Sequence, residues 1–543
     1  MSNFLTRLLA RNPPSPEAAD AHVQRANDLR SAGQLDAALA EYDRALKSQP
    51  DHVGALFSRA TLVRQLGRTH EALRDYDRVV ALAPGLMPVY YNRGLAHTVL
   101  ENWPAALADF QQSVTLNADF VAGWAARGVA LVKLGRCGDA LQSYDRAIAL
   151  QGDDAELHFH RGNALMDLGR WDVAVHSFEQ AIRLRADYVE AHANLGSALL
   201  ESRNVDASIA SFDRAIALQG LAAEPRYNRS LALLLRGDHA AGWAGYESRW
   251  EGSHGHTLGD TSLLQEPRWS GREEIRGRRL AVWAEQGLGD TLQFCRLLPL
   301  VAARDAEVIF IVQAPLARLL TGFEGVAQRV TQGEAVPEFD LQCPLLSLPA
   351  ALGMTLATIP ANVPYIHADP EGIAGWRAQL QSTGAPRVGI AWAGNPQNRN
   401  DRRRSLALSR LLAGLPAGME LISLQKDVPE SDRAALAGAT GLRCLLQPHH
   451  DFSDTAALVA ALDLVICVDT AVAHLAGAMG KPVWLLNRYN GCWRWLLDRP
   501  DSPWYPTLRV YRQDSPDDWE GVLRRVSADL QRMNTASTTR PPA

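Results

Sequence analysis

Leu464–Leu486 reads LVICVDTAVAHLAGAMGKPVWLL, and its pattern decides the fold class of the second half of the chain. The apolar run ending at Val468 has the length and β-branched content of a buried strand, and the small residues Ala471 to Met479 recur at helical spacing. Asp469 and Thr470 then fall in the turn between strand and helix. A helix start leaves backbone N–H groups unpaired and partly positive, which suits a phosphate, and ligands of open α/β sheets bind at the carboxyl ends of strands. Pro482 to Leu486 reads as the next strand and closes a β-α-β unit.

Working outward, Pro386 to Trp392 and Leu421 to Leu424 read as strands and Ser453 to Ala461 as a helix, so the expectation is a doubly wound sheet. A polar turn with Asn395 follows the first of these strands, then Arg402, Arg403 and Arg404 before a helix from about Leu406. Three cations at a helix start oppose its dipole, so either a bound anion or a solvated basic loop accounts for them. Gln425 and Lys426 stand at the end of the second strand. His474, one turn into the helix after Asp469, is either a site residue or an ordinary packed histidine.

Upstream, Leu280 to Ala284 and Val308 to Val312 read as strands, with the turn EQGLGD (Glu285 to Asp290) and a helix from Thr291 to Ala303 between them. Gly287 and Gly289 lack the third glycine of a dinucleotide fingerprint, and Asp290 would repel a pyrophosphate, which excludes NAD. Asp290 is placed either to cap its helix or to take a proton from an acceptor hydroxyl. GAMGKP at 477–482 is no P-loop, because Leu475 and Pro482 stand where glycine and a hydroxyl residue are needed.

The first half is periodic. Arg25, Arg59, Arg93, Arg127 and Arg161 recur every 34 residues, and Arg229 continues the series. In step with them run small residues (Ala26, Ala60, Gly94, Gly128, Gly162, Gly196, Ser230) and second-helix aromatics (Tyr42, Tyr76, Phe110, Tyr144, Phe178, Phe212, Tyr246). Gly33, Gly67, Gly135, Gly169 and Gly237 mark turns. The acidic column Asp43, Asp77, Asp145, Glu179, Asp213 and Glu247 predicts ion pairs with the arginines between helices.

This pattern resembles the tetratricopeptide repeat over about 19–250, an all-α superhelix whose concave face docks proteins or peptides. The remainder resembles the family 9 glycosyltransferases, the heptosyltransferase group. Their D-[ST]-G-x-x-H-x-x-x-A signature stands here as Asp469, Thr470, Ala471, His474 and Ala478, followed by Gly480 and Pro482. Their GD turn with its catalytic base matches Gly289-Asp290, and their basic donor-phosphate residue matches Arg404. Two departures stand out: Ala471 replaces a glycine, which narrows the approach to a pyrophosphate, and the usual Lys-x-Trp-Pro is reduced to Arg404-Ser405-Leu406-Ala407.

The architecture also resembles the family 41 O-GlcNAc transferases, in which an asparagine ladder grips the substrate backbone. Asn92, Asn194 and Asn228 share one such position, with Ala126 and His160 between, though asparagine is tolerated on any exposed helix face. These resemblances imply a GT-B module of two Rossmann-like lobes. The division is 278–370 for the acceptor-side lobe, 371–533 for the donor-side lobe, 251–277 for a linker and 534–543 for a disordered tail, with a final helix, Asp517 to Met533, crossing back onto the first lobe. They imply sugar transfer from a nucleotide-sugar to an acceptor hydroxyl without a metal or other cofactor. Asp290 would act as base, and Gly289, Asn395, Arg403, Arg404, Gln425, Lys426, Asp469, Thr470, Ala471 and His474 would hold the donor. The acceptor is expected to be a protein on the repeats; a lipid or saccharide acceptor, or a scaffold with a degenerate module, are the alternatives.

Composition limits the rest. The 543 residues are 47% hydrophobic and 21% charged, which is globular and too long for one core. A formal charge of -5 gives no drive toward nucleic acid. No apolar run approaches the ~18 residues of a membrane span, and no signal peptide is evident, so a cytoplasmic protein is expected. The 6 cysteines are scattered without a CxxC pair and are read as buried thiols.

Overall fold

The computed structural model describes residues 16–220, 223–251, 265–380, 384–395, 401–447 and 449–538. They divide into two compact units, Met1–Leu199 and Leu200–Ala543.

The first unit is a run of antiparallel helix pairs, Pro16–Ser31 with Leu35–Ser48 through Ala155–Asp167 with Trp171–Leu184, followed by Val189–Glu201, which crosses the unit boundary. The small column and the aromatic column meet each other. A Cβ on Gly94 would lie 2.6 Å from Phe110, and one on Gly162 would lie 2.5 Å from Phe178, so the ring of each second helix fills the notch on the first. Three of the arginines span two neighbouring second helices through these columns: Arg59 reaches Asp43 and Asp75, Arg93 reaches Asp77 and Asp109, and Arg161 reaches Asp145 and Ser177. Asp43, Asp77 and Asp145 carry the predicted pairing, while Asp75 and Asp109 are partners the period did not single out. The left-handed turn recurs too. Gly33, Gly67, Gly135, Gly169 and Gly237 have φ between 71° and 94°, and at the same register Glu101 (54°) and Arg203 (62°) adopt it without glycine.

The second unit starts with the last repeat helices, Val205–Gln219, Ala223–Arg236 and His239–Tyr246, and continues into two parallel sheets. The first sheet has order β3-β2-β1-β4, from Arg279–Trp283 (β1), Glu307–Val312 (β2), Gln328–Thr331 (β3) and Leu341–Pro344 (β4). The second has order β10-β9-β8-β5-β6-β7, from Arg387–Ala391 (β5), Glu420–Ser423 (β6), Leu442–Cys444 (β7), Leu464–Val468 (β8), Val483–Asn487 (β9) and Leu508–Arg512 (β10). Counted within each lobe, both wind as 3-2-1-4, and the second completes the 3-2-1-4-5-6 order of a dinucleotide fold.

Four expectations are corrected. The stretch placed in a linker packs into the first lobe: Trp269 is fully buried, and its N–H bonds Gln342 on β4 (2.8 Å). The final helix, Trp519–Thr538, covers the second lobe, not the first, because its apolar stripe Trp519, Val522, Leu523, Val526 and Leu530 joins Val388, Ile390, Leu408 and Leu411 in one core. That helix also runs past Met533 to Thr538. Cys444 is exposed rather than buried.

Candidate active site

In sheets of this winding the loops after strands 1 and 4 of the order depart to opposite faces and open a crevice between them. In the second lobe that crevice lies between the ends of β5 and β8. The β5 end is built by its own chain. Gln425 Oε1 accepts the N–H groups of Trp392 (3.1 Å) and Ala393 (3.0 Å), and its Nε2 donates to the Asp427 carbonyl. Lys426 donates to the His450 carbonyl (2.5 Å) at the exposed end of β6. Both polar groups are committed to backbone, so the structure uses them to hold strand ends.

Gly394 comes next, and a Cβ there would fall 2.3 Å from Asp401 and 2.5 Å from Arg404, so only glycine lets these side chains cross over the turn. The one-turn helix Asp401–Arg404 precedes the helix Leu408–Gly414. Arg404 donates to Asp401 (3.1 Å) and keeps the rest of its fork at the turn, while Arg403 faces Glu201 (3.7 Å). Asn395 is exposed at the same turn.

At the β8 end, Asp469 is half-buried, and its carboxylate makes no hydrogen bond or ion pair among the described residues. Thr470 is the N-cap of Ala471–Ala478, yet its hydroxyl does not cap, and it is buried without a partner among them. Unspent polar groups at a strand-end turn are unusual in a packed chain. His474 lies deeper. It is 5% exposed, stacks on Trp495 (5.3 Å, 22°) and has Nδ1 3.0 Å from the Tyr505 hydroxyl. Burial, then Arg494, Arg296 and Arg404, push its pKa well below the ordinary histidine value, so the ring is neutral.

The first lobe faces this turn. Its helix Leu288–Phe294 packs on Ala471–Ala478 at Gly289, where a Cβ would lie 2.9 Å from the His474 ring and 3.3 Å from the Ala471 Cα. The glycine at this contact is thus supplied by the facing lobe. Asp290 does cap its helix, accepting the Gly287 N–H at 3.0 Å. Its other oxygen is held by Arg494, which also donates to Gln293 (2.6 Å) and lies over the Trp493 ring (4.2 Å). Arg494 was not singled out from sequence; the signal is an arginine set between tryptophans in Trp493-Arg494-Trp495.

The last repeat enters the same neighbourhood. Trp243 meets Trp493 edge to face at 5.1 Å, and the Tyr246 hydroxyl accepts from Gln286 (3.0 Å). Arg249, fully buried, donates to Glu285 (3.0 Å) and Ser347 (2.7 Å) at the ends of β1 and β4. Burial pushes Glu285 up to about 7 against the pull of Arg249.

The asparagine column is less uniform than its period. Asn92 donates to its own helix at the Pro88 carbonyl (3.0 Å), Asn194 donates to Asn163 (2.7 Å) in the preceding repeat, and Asn228 lies in the second unit. Among the described residues no group of three or more His, Cys, Asp or Glu is arranged to hold a metal, and no helix is long and apolar enough to cross a membrane.

Residues 23–86, 91–155, 125–187, 159–223 and 195–251 match the tetratricopeptide repeat family. Residues 421–488 match Glycosyltransferase family 9 (heptosyltransferase). Protein FlbA of Caulobacter vibrioides is 30% identical over 331 residues, 56% of this chain and 54% of FlbA. The chain therefore spans about half the length of that curated relative. Among solved structures, YrrB, described as a TPR protein with an unusual peptide-binding site, is 23% identical with a TM-score of 0.33, over 35% of this chain and 98% of that one. A tetratricopeptide repeat protein from Parabacteroides merdae is 15% identical with a TM-score of 0.36, over 46% and 96%. The chain joins tetratricopeptide repeats to an α/β region that carries a glycosyltransferase family 9 segment.

Proposed function

We propose that the protein is a metal-independent glycosyltransferase of GT-B type, moving a sugar from a nucleotide-sugar to an acceptor hydroxyl. The observation that carries this reading is the pairing of unspent Asp469 and Thr470 at the β8 end with Asp290 on the lobe packed against them. The donor diphosphate would lie at the β5–β8 crevice, where Arg404 and the free amides after Thr470 stabilise its growing charge as the glycosidic bond breaks. Asp469 would orient the sugar or ribose. Asp290 takes the proton of the acceptor O–H as its oxygen bonds the sugar carbon, and Arg494 holds that carboxylate in direction. His474, neutral and packed, serves by shaping the wall beside Gly289. Asn395 and Arg403 flank the diphosphate.

The acceptor in this reading is a protein held on the repeats, with Asn92, Asn194 and Asn228 among the docking groups, in the cytoplasm. A binding panel of UDP-, GDP-, ADP- and CDP-sugars tests it. One nucleotide series should bind and be turned over with a protein acceptor; binding of none would leave a repeat scaffold with a spent module.

A further inference from the structure

The turn between β1 and the helix Leu288–Phe294 carries Asp290 to the facing lobe, and little in its own backbone fixes it. Gly287 is exposed and, with Gly289, leaves the turn few steric restraints. Two consecutive side chains at its start are held by the last repeat instead. Glu285 accepts from Arg249 (3.0 Å) and from the Leu346 N–H (3.1 Å). Gln286 donates through Nε2 to the Tyr246 hydroxyl (3.0 Å), and its carbonyl accepts from Gln313 of its own lobe (2.8 Å).

Tyr246 is itself rigidly seated. It is 2% exposed, its ring meets Trp243 edge to face (5.8 Å) and Tyr227 at 5.5 Å, and the Arg249 guanidinium lies 4.8 Å from the ring centre. Burial, then the Tyr227 phenol, push its pKa well above the ordinary tyrosine value, so the hydroxyl keeps its proton and offers the amide both a donor and an acceptor. Arg494 and Asp290 are both close enough to act on it electrostatically. The residue after Gln286 is Gly287, whose N–H carries one oxygen of Asp290 (3.0 Å), while Arg494 holds the other. Moving Gln286 therefore moves the amide that aims the carboxylate.

We propose, on the reading of Asp290 as base, that the Tyr246 hydroxyl is a positioning group for it, acting through Gln286 and the Gly287 amide, so that the last repeat sets the direction of the carboxylate. A general base works only when its lone pair points at the acceptor proton. A misplacement of about 1 Å costs on the order of 100-fold in rate, and losing one anchor among several costs less.

Hydrolysis of the nucleotide-sugar selected by the binding panel tests it on the full-length chain, with water giving its proton to Asp290 in place of the acceptor and the nucleoside diphosphate leaving. Tyr246→Phe keeps the packed ring and removes only the hydroxyl. It should lower kcat about five- to twentyfold while the donor KM stays within about twofold and Tm is unchanged. Gln286→Met should give the same fall, and the two together no more than either alone; neither should lower kcat further in Asp290→Asn. Wild-type kcat in either single variant, or a fall that recurs in full in Asp290→Asn, overturns the positioning role. Should Tyr246→Phe fail to fold, Gln286→Met, on a half-buried residue, carries the same decision. Full turnover in Asp290→Asn, or a chain that binds none of the nucleotide-sugars, removes the base reading itself; a large loss in Asp290→Asn beside wild-type kcat in Tyr246→Phe removes the positioning role alone.

Discussion

Arg494, on the loop after β9, grips Asp290 at the helix start of the other lobe, so the carboxylate proposed as base is fixed by a residue 204 positions away. Asp290→Asn should lower kcat by about 10²–10⁴-fold while nucleotide affinity stays within about twofold, as for loss of a general base. Arg494→Met should lower kcat as well, because it releases the same carboxylate from its fixed direction. Unchanged turnover in Asp290→Asn, measured at saturating donor, would remove it from the base role.

Arg404 is held to Asp401 by one nitrogen, leaving its fork available. Arg404→Ala should weaken nucleoside-diphosphate binding by roughly 10–100-fold, the worth of a charge-assisted contact of about 1.5–3 kcal/mol. Calorimetric titration with the free diphosphate reads this directly, and equal affinity would place the diphosphate elsewhere.

Gly289 closes the contact between the lobes. Gly289→Ala sets a Cβ 2.9 Å from the His474 ring, which is itself wedged between Trp495 and Tyr505 and has little room to give. A loss of about 1–3 kcal/mol in urea unfolding is expected, larger for Gly289→Val. Indifference to both substitutions would mean the lobes do not pack here in solution.

His239 provides a pH test independent of any activity. It is 2% exposed against Trp243, neither ring nitrogen has a partner among the described residues, and burial lowers its pKa to about 4. Between that value and the ordinary 6.5 the unfolded chain binds the extra proton and the folded one does not, so stability rises with pH across this window and is lost as pH falls through it. The full effect is about 3 kcal/mol, and His239→Leu should flatten it. A variant that keeps the same slope between pH 4 and 6.5 would assign the dependence to other groups.

The parts legible in the sequence are those whose partners sit at a fixed local spacing. The arginine column and its acidic partners repeat every 34 residues, and Leu464–Val468 shows its burial as an unbroken apolar run. Arg494, Arg249 and Trp269 escaped because each is explained only by contacts with distant strands and helices. The Gln425 contacts are hidden for the same reason, since nothing local shows that its amide serves Trp392 and Ala393. Strand β10 was hidden because Arg509 and Arg512 interrupt and end its short apolar run of Leu508, Val510 and Tyr511.

The burial of Trp243 against Trp493, and of Arg249 beneath Glu285, bears on how this chain can be taken apart. A cut after Trp250, where periodicity ends, would strip an apolar wall from the α/β lobes and strand Glu285 without its cation. A cut near Leu199 leaves that wall in place. Upstream hairpins can then be added, lost or exchanged by recombination without opening the core of the lobes, whereas the terminal one is inherited with the lobes as a single piece.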